Sequence, residues 1–125
     1  DDMYLLDSSA LIELSRATKK AEKIIQIIGF HIATTTSICI HEFLVGYGQK
    51  DNVQLRRAIK NLDIINFDAK SAEFSAEIER DLAHRGQPVN SLDVLIAGVC
   101  LAKDLTILTS DKDFKRIKNL KVQMI

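Results

Sequence analysis

The sequence predicts an α/β fold with a mostly parallel sheet, and three observations carry that. Short apolar runs alternate along the chain with longer stretches whose apolar residues recur at helical spacing, the pattern of strands joined by crossover helices. The composition, 46% hydrophobic and 27% charged, is that of a globular protein able to build a core. The 125 residues suit one domain spanning 1–125, with no internal repeat, low-complexity segment or linker to divide it.

Taken in order, Met3 to Leu6 is an apolar run of strand length ending at Asp7. Ser8 and Ser9 then offer caps for a helix through Ala10, Leu11, Ile12 and Leu14. Ala21, Ile24, Ile25 and Ile28 fall at i, i+3, i+4, i+7, an amphipathic helix that Gly29 stops. His31 to Thr34 reads as a second strand, with Thr35, Thr36 and Ser37 as caps for an apolar helix from Ile38 to about Val45, closed by Gly46 and Gly48. Leu55, Ala58, Ile59 and Leu62 mark another helix, and Ile64 to Phe67 a third strand. Phe74, Ile78 and Leu82 lie on one face of a helix from about Ala69 to Arg85, broken by Gly86-Gln87-Pro88. An apolar helix begins near Asp93, followed by a strand from Leu105 to Leu108 and a last strand from Val122 to Ile125.

Several function classes are disfavoured. No apolar run approaches the ~20 residues of a membrane span, and the N-terminus lacks the plan of a signal peptide, so a cytoplasmic location is expected. Asp1 and Asp2 precede Met3 and belong to no candidate site. Cys39 and Cys100 sit in apolar runs and read as buried thiols in a reducing compartment. A net charge of zero argues against binding nucleic acid by bulk charge alone.

The candidate chemistry is carboxylate chemistry. Ligands of parallel α/β sheets bind outside the carboxyl ends of the strands, where Asp7 and Asp111 should sit. Each acid has a plain structural alternative. Asp7 can start the next helix, and Asp93 and Asp111 can be first-turn acids that complement a helix dipole. Ser110-x-x-Asp113 fits a capping box, which makes Asp113 structural. Glu42 fits such a reading least, because Ile38, Phe43, Leu44 and Val45 surround it, and a buried carboxylate without a partner costs several kcal/mol. If Asp7, Glu42, Asp93 and Asp111 converge, repulsion favours protonation of some of them, and a divalent cation relieves it. Oxygen ligands suit Mg²⁺ or Mn²⁺, and an all-carboxylate site suits metal-assisted phosphodiester hydrolysis. There is no glycine-rich phosphate loop and no Gly-x-Ser-x-Gly elbow.

Four segments together resemble the PIN-domain ribonucleases, and within them the VapC-type toxins of toxin–antitoxin pairs. They are Tyr4-Leu5-Leu6-Asp7-Ser8-Ser9-Ala10-Leu11-Ile12, the stretch Thr35 to Gly46 with Glu42 inside it, Asn90-Ser91-Leu92-Asp93-Val94-Leu95-Ile96-Ala97, and Leu105 to Phe114 with Thr109, Ser110 and Asp111. The likeness runs from about Met3 to Leu120. It implies a three-layer α/β/α fold with a five-stranded sheet, and an Mg²⁺ or Mn²⁺ pocket formed by Asp7, Glu42, Asp93 and Asp111. It also implies that Ser9 and Thr109 support those acids by hydrogen bonds and that Asp113 is an accessory acid. Cleavage of RNA such as transfer or ribosomal RNA, silencing by a cognate antitoxin and a homodimer follow from the same resemblance. Arg85, Lys112, Lys115 and Arg116 are candidate phosphate contacts. Two rivals are a receiver-type signalling domain, which would use Asp68 after the third strand, and a binding module with an inactive pocket.

Overall fold

A computed structural model describes residues 3–47 and 53–125. Gly48, expected to help close a helix, and Asp1 and Asp2 lie outside the described residues, as do the side chains of Leu55 and Ala58. Strands β1 (Tyr4–Leu6), β2 (Ala33–Thr36), β3 (Asp63–Ile65), β4 (Thr106–Thr109) and β5 (Lys121–Met124) form one parallel sheet in the order β3-β2-β1-β4-β5. The connecting helices are α1 (Ser8–Arg16), α2 (Lys19–Ile28), α3 (Ser37–Tyr47), α4 (Val53–Lys60), α5 (Ala69–His84) and α6 (Ser91–Lys103). A 3₁₀ turn, Lys112–Arg116, joins β4 to β5.

The first three strands step outward in one direction from β1, and β4 returns to the other side of β1. With right-handed crossovers this reversal puts α1–α4 on one face and α5 and α6 on the other, in keeping with the packing of α1 on α2, α3 and α4 and of α5 on α6, while α3 also meets α6. It also opens a crevice between the carboxyl ends of β1 and β4, the usual ligand position in such sheets. Leu5, Leu6, Ile107 and Leu108 have no exposed surface, as expected of central strands covered on both faces. Phe43 of α3, Ile96 and Val99 of α6, and Leu11 of α1 complete the core around them.

Gly98 lets α5 lie unusually close to α6. A Cβ there would stand 2.7 Å from the Ser71 carbonyl oxygen and 2.8 Å from Ser75 Cβ.

Several expected element ends move. The second strand is Ala33–Thr36, two residues later than read from the sequence. Thr34, Thr35 and Thr36 are buried in the sheet, where β-branched side chains pack well. Their hydroxyls also find partners: Thr34 Oγ1 donates to the Tyr4 carbonyl at 3.0 Å and Thr35 Oγ1 to the Leu6 carbonyl at 2.8 Å. Only Thr36 acts as expected of a cap, accepting from the Cys39 N–H at 3.0 Å. The third strand ends at Ile65 rather than Phe67, and Gly46 lies inside α3 instead of ending it. Asp7, not Ser8 or Ser9, caps α1.

Candidate active site

Asp7 occupies the turn between β1 and α1, at the crevice, and is only 4% exposed. Its Oδ1 accepts from the Ala10 N–H at 2.9 Å and from Ser9 Oγ at 2.6 Å. Its Oδ2 accepts from Thr109 Oγ1 at the end of β4. Capping and site roles thus fall on one carboxylate. The two hydroxyls reach further: Ser9 Oγ accepts from the Ser110 N–H at 3.0 Å, and Thr109 Oγ1 accepts from the Asp111 N–H at 2.9 Å. Ser9 and Thr109 therefore lace the end of β1 to the loop that carries Asp111.

Asp111 caps the 3₁₀ turn, its Oδ1 accepting from the Asp113 N–H at 2.9 Å. The expected Ser110-to-Asp113 capping box does not form. Ser110 is still in the chain leaving β4, and its N–H goes to Ser9, so Asp111 takes the capping position. Asp93 lies in the first turn of α6, behind Asn90, whose side chain caps that helix through the Leu92 N–H at 2.9 Å. Glu42 projects from α3, and its Oε1 is buried without a hydrogen-bond partner among the described residues.

The electrostatics show that these acids face one another. Asp93 is pushed up to about 7, first by burial and then by the charges of Glu42, Asp111, Asp7 and Asp113. Asp7 is raised by burial and by Asp111, against the pull of Ser9, Thr109 and Ala10. Glu42 is raised by burial and then by Asp7, with His41 opposing. The fold therefore brings Asp7, Glu42, Asp93 and Asp111 to one crevice and lets Asp113 touch it from the rim. Among the described residues, no group of three or more His, Cys, Asp or Glu side chains stands in a ready coordination geometry. The acids interact across a space rather than closing on a point. The donor set is all oxygen, and the partnerless Glu42 Oε1 and the mutual repulsion are both relieved by a hard divalent cation. By donor chemistry, Asp7, Glu42, Asp93 and Asp111 would suit such an ion.

Beside them, Ser110, Asp111, Lys112, Asp113 and Arg116 line a pocket of about 700 Å³. Lys112 and Arg116 thus bring positive charge next to the acids, and Lys115 is exposed on the same turn. Both arginines are already engaged: the Arg85 guanidinium on Asp81, Gln87 and the Arg116 carbonyl, and that of Arg116 on the Pro88 carbonyl and Asp113.

The receiver-type rival loses its key residue. Asp68 follows the edge strand β3, caps α5 through the Ser71 N–H at 2.8 Å, and pairs with Lys103 at 3.5 Å. Sequence reasoning missed Thr35, whose hydroxyl holds the Leu6 carbonyl immediately before Asp7. Only the β1–β2 pairing reveals that contact.

No described helix is long and apolar enough to cross a membrane. In sequence, the chain is 36% identical over 63 residues to Ribonuclease VapC2 of Rickettsia felis, covering 50% of this chain and 47% of that protein. It is 30% identical over 66 residues to the tRNA(fMet)-specific endonuclease VapC of Shigella flexneri, covering 52% of this chain and 50% of that one. The chain thus spans about half the length of the curated relatives it matches. In structure it is similar to VapBC2 of Rickettsia felis, solved bound to a promoter DNA fragment. The TM-score there is 0.88 at 23% identity, over 98% of both chains. It is also similar to the DNA-bound VapBC of Salmonella typhimurium, with TM-score 0.82 and 20% identity over 99% of this chain and 98% of that one. The model of the PIN domain matches residues 4–120, and the chain belongs to the PIN domain family.

Proposed function

We propose that this chain is a metal-dependent endoribonuclease, the toxin of a VapBC-type toxin–antitoxin pair. The observation that carries the reading is the set of four acids at the β1/β4 crevice, with Asp93 near 7 and Glu42 Oε1 left partnerless. Repulsion on this scale is costly unless the site binds a cation. The names of the Shigella flexneri and Rickettsia felis relatives support RNA as substrate, and transfer RNA in particular.

Asp7, Glu42, Asp93 and Asp111 would hold Mg²⁺ or Mn²⁺. When bound, such an ion supplies Lewis-acid stabilisation of the phosphate and makes water a competent nucleophile near neutral pH. The chain's own groups set the geometry. Ser9, Thr109 and the Ala10 N–H fix both Asp7 oxygens, so that carboxylate cannot rotate away. Thr109 Oγ1 sets Asp111 through its N–H. Asp93 and Glu42 are held less tightly, and either can accept a proton from an attacking water. Lys112, on the neighbouring pocket, and Lys115, exposed on the same turn, would supply contacts to the RNA backbone, while Arg116 is held by the Pro88 carbonyl and Asp113.

An antitoxin partner and a homodimer belong to the same reading. Leu44 and Val45 of α3 and Val53 of α4 are each more than half exposed, and apolar surface of this kind suits a protein partner. The test is RNA cleavage by purified protein with Mg²⁺ or Mn²⁺, against Asp7→Asn and Asp93→Asn. Cleavage should be lost in both variants, with the circular dichroism of the wild type retained. Degradation of RNA by either variant at the wild-type rate would sink the reading.

A further inference from the structure

Two arginines at the edge of the crevice do something other than face solvent. Arg85 caps the end of α5, and all three of its guanidinium nitrogens are engaged. Nε and Nη2 reach Asp81 Oδ2 at 2.9 and 2.6 Å. Nη1 reaches Gln87 Oε1 at 3.0 Å, and Nη2 also reaches the Arg116 carbonyl oxygen at 2.7 Å. Arg116 reciprocates. Its Nη1 donates to the Pro88 carbonyl at 3.0 Å, and its Nη2 lies 3.4 Å from Asp113 Oδ1.

Each arginine thus grips the backbone of the segment that carries the other. One segment, residues 85–90, leads from α5 into α6, whose first turn bears Asp93. The other, Lys112–Arg116, begins at the Asp111 cap and walls the pocket of about 700 Å³. Asp93 follows the first segment, Asp111 precedes the second, and the two acids repel one another, a repulsion that the crossed arginine contacts between the segments oppose. Backbone pairing does not join them, because β4 and the α5–α6 connection share no strand ladder.

We infer that Arg85 is a positioning residue that, crossed with Arg116 and oriented by Asp81, fixes the spacing of Asp93 and Asp111. This deepens, and rests on, the metal-dependent endoribonuclease reading. A planar fork that serves a carboxylate, an amide oxygen and a carbonyl at once is arginine's geometry, and a lysine ammonium does not reproduce it. The rival role for Arg85 is a contact to RNA phosphate, as its charge and position first suggest.

Asp81 separates the two roles. In Asp81→Asn, Arg85 loses its charged anchor and becomes free to meet a phosphate. A phosphate-binding Arg85 would then bind RNA as well or better, whereas a positioning Arg85 would work worse. The experiment measures kcat and KM for RNA cleavage, their salt dependence, and Mn²⁺ affinity by the EPR signal of free Mn²⁺. The proteins are wild type, Arg85→Ala, Arg85→Lys, Asp81→Asn and the Arg85→Ala/Asp81→Asn pair.

Both Arg85→Ala and Asp81→Asn should lower kcat, on the order of tenfold to a hundredfold, as a misplacement near 1 Å does. KM should stay within about twofold, the salt slope should be unchanged, and Mn²⁺ should bind about tenfold more weakly, the lower end of the scale of a lost supporting contact. The double variant should be no worse than the poorer single one, and Arg85→Lys should not rescue. A rise in KM with a shallower salt slope in Arg85→Ala, and none in Asp81→Asn, would assign Arg85 to RNA and overturn the positioning role. Wild-type kcat and Mn²⁺ affinity in Arg85→Ala would also overturn it, leaving the endonuclease reading intact. Wild-type protein that neither binds Mn²⁺ nor cleaves RNA would overturn the endonuclease reading, and the positioning role with it.

Discussion

Replacing Asp93 by Asn should silence the site and, without metal, make the protein more stable at neutral and alkaline pH. The carboxyl of Asp93 is raised from 3.8 to about 7 by burial and by four neighbouring acids. At about 1.4 kcal/mol per pH unit, that gap bounds the ionic penalty at about 4 kcal/mol. Asp93 is only half-buried, and solvent screening cuts the penalty to about 2 kcal/mol or less. Asn also loses the favourable interaction of a first-turn acid with the α6 dipole, roughly 0.3–1 kcal/mol. The net gain is about 1 kcal/mol, or about 3–5 °C in Tm for a chain of this size. The sign follows from proton linkage. Between pH 3.8 and about 7 the folded wild type holds a proton that the unfolded chain releases, so its stability falls as pH rises through that window. The advantage of Asp93→Asn should therefore be absent near pH 3.5, grow through pH 5 and 6, and be complete by pH 8. Urea denaturation in EDTA at these four pH values measures it. A constant difference at all four, or a variant less stable at pH 8 than at pH 5 relative to wild type, would refute the picture of mutually repelling acids.

Other outcomes follow from single contacts. Thr109→Val keeps the shape of a fully buried side chain but removes the hydroxyl between Asp7 Oδ2 and the Asp111 N–H, so urea unfolding should show a loss of about 2–4 kcal/mol. Gly98→Ala puts a methyl against the Ser71 carbonyl, a backbone atom that cannot rotate aside, and should cost about 1–3 kcal/mol by the same assay. Saturating Mn²⁺ at about 100 times its Kd should stabilise the wild type by about 2.7 kcal/mol in thermal melts. Glu42→Gln, which removes the partnerless charge, should blunt that gain while melting no lower than wild type in EDTA.

The legible part of this protein was the part written in short-range pattern. Alternating apolar runs gave the α/β order, and carboxylates following the first and fourth strands marked the rim where Asp7 and Asp111 stand. Glu42 stood out because its helix is otherwise apolar. The less legible part depends on partners distant in sequence. Three threonines in a row read equally as strand or as caps, and the choice was made by Tyr4 and Leu6 carbonyls about thirty positions away. Ser110 looked like a cap until Ser9 claimed its N–H. Arg85 looked free for RNA because Arg116, 31 positions on, gives no local sign that its carbonyl is the partner.

The pairing of β1 with β4 has a consequence for the order of events during synthesis. Asp7 and Thr109 are 102 positions apart, and the two hydroxyl bridges that shape the crevice join the early part of the chain to its late part. A chain translated only as far as α5 carries Asp7 and Glu42 but lacks Asp93, Thr109 and Asp111, and the side of β1 that β4 covers is bare. Such a chain has half of the acids and the local Ser9 and Ala10 bonds to Asp7, but neither of the bridges to the β4 end. The four-acid crevice is therefore complete only once β4 has docked beside β1.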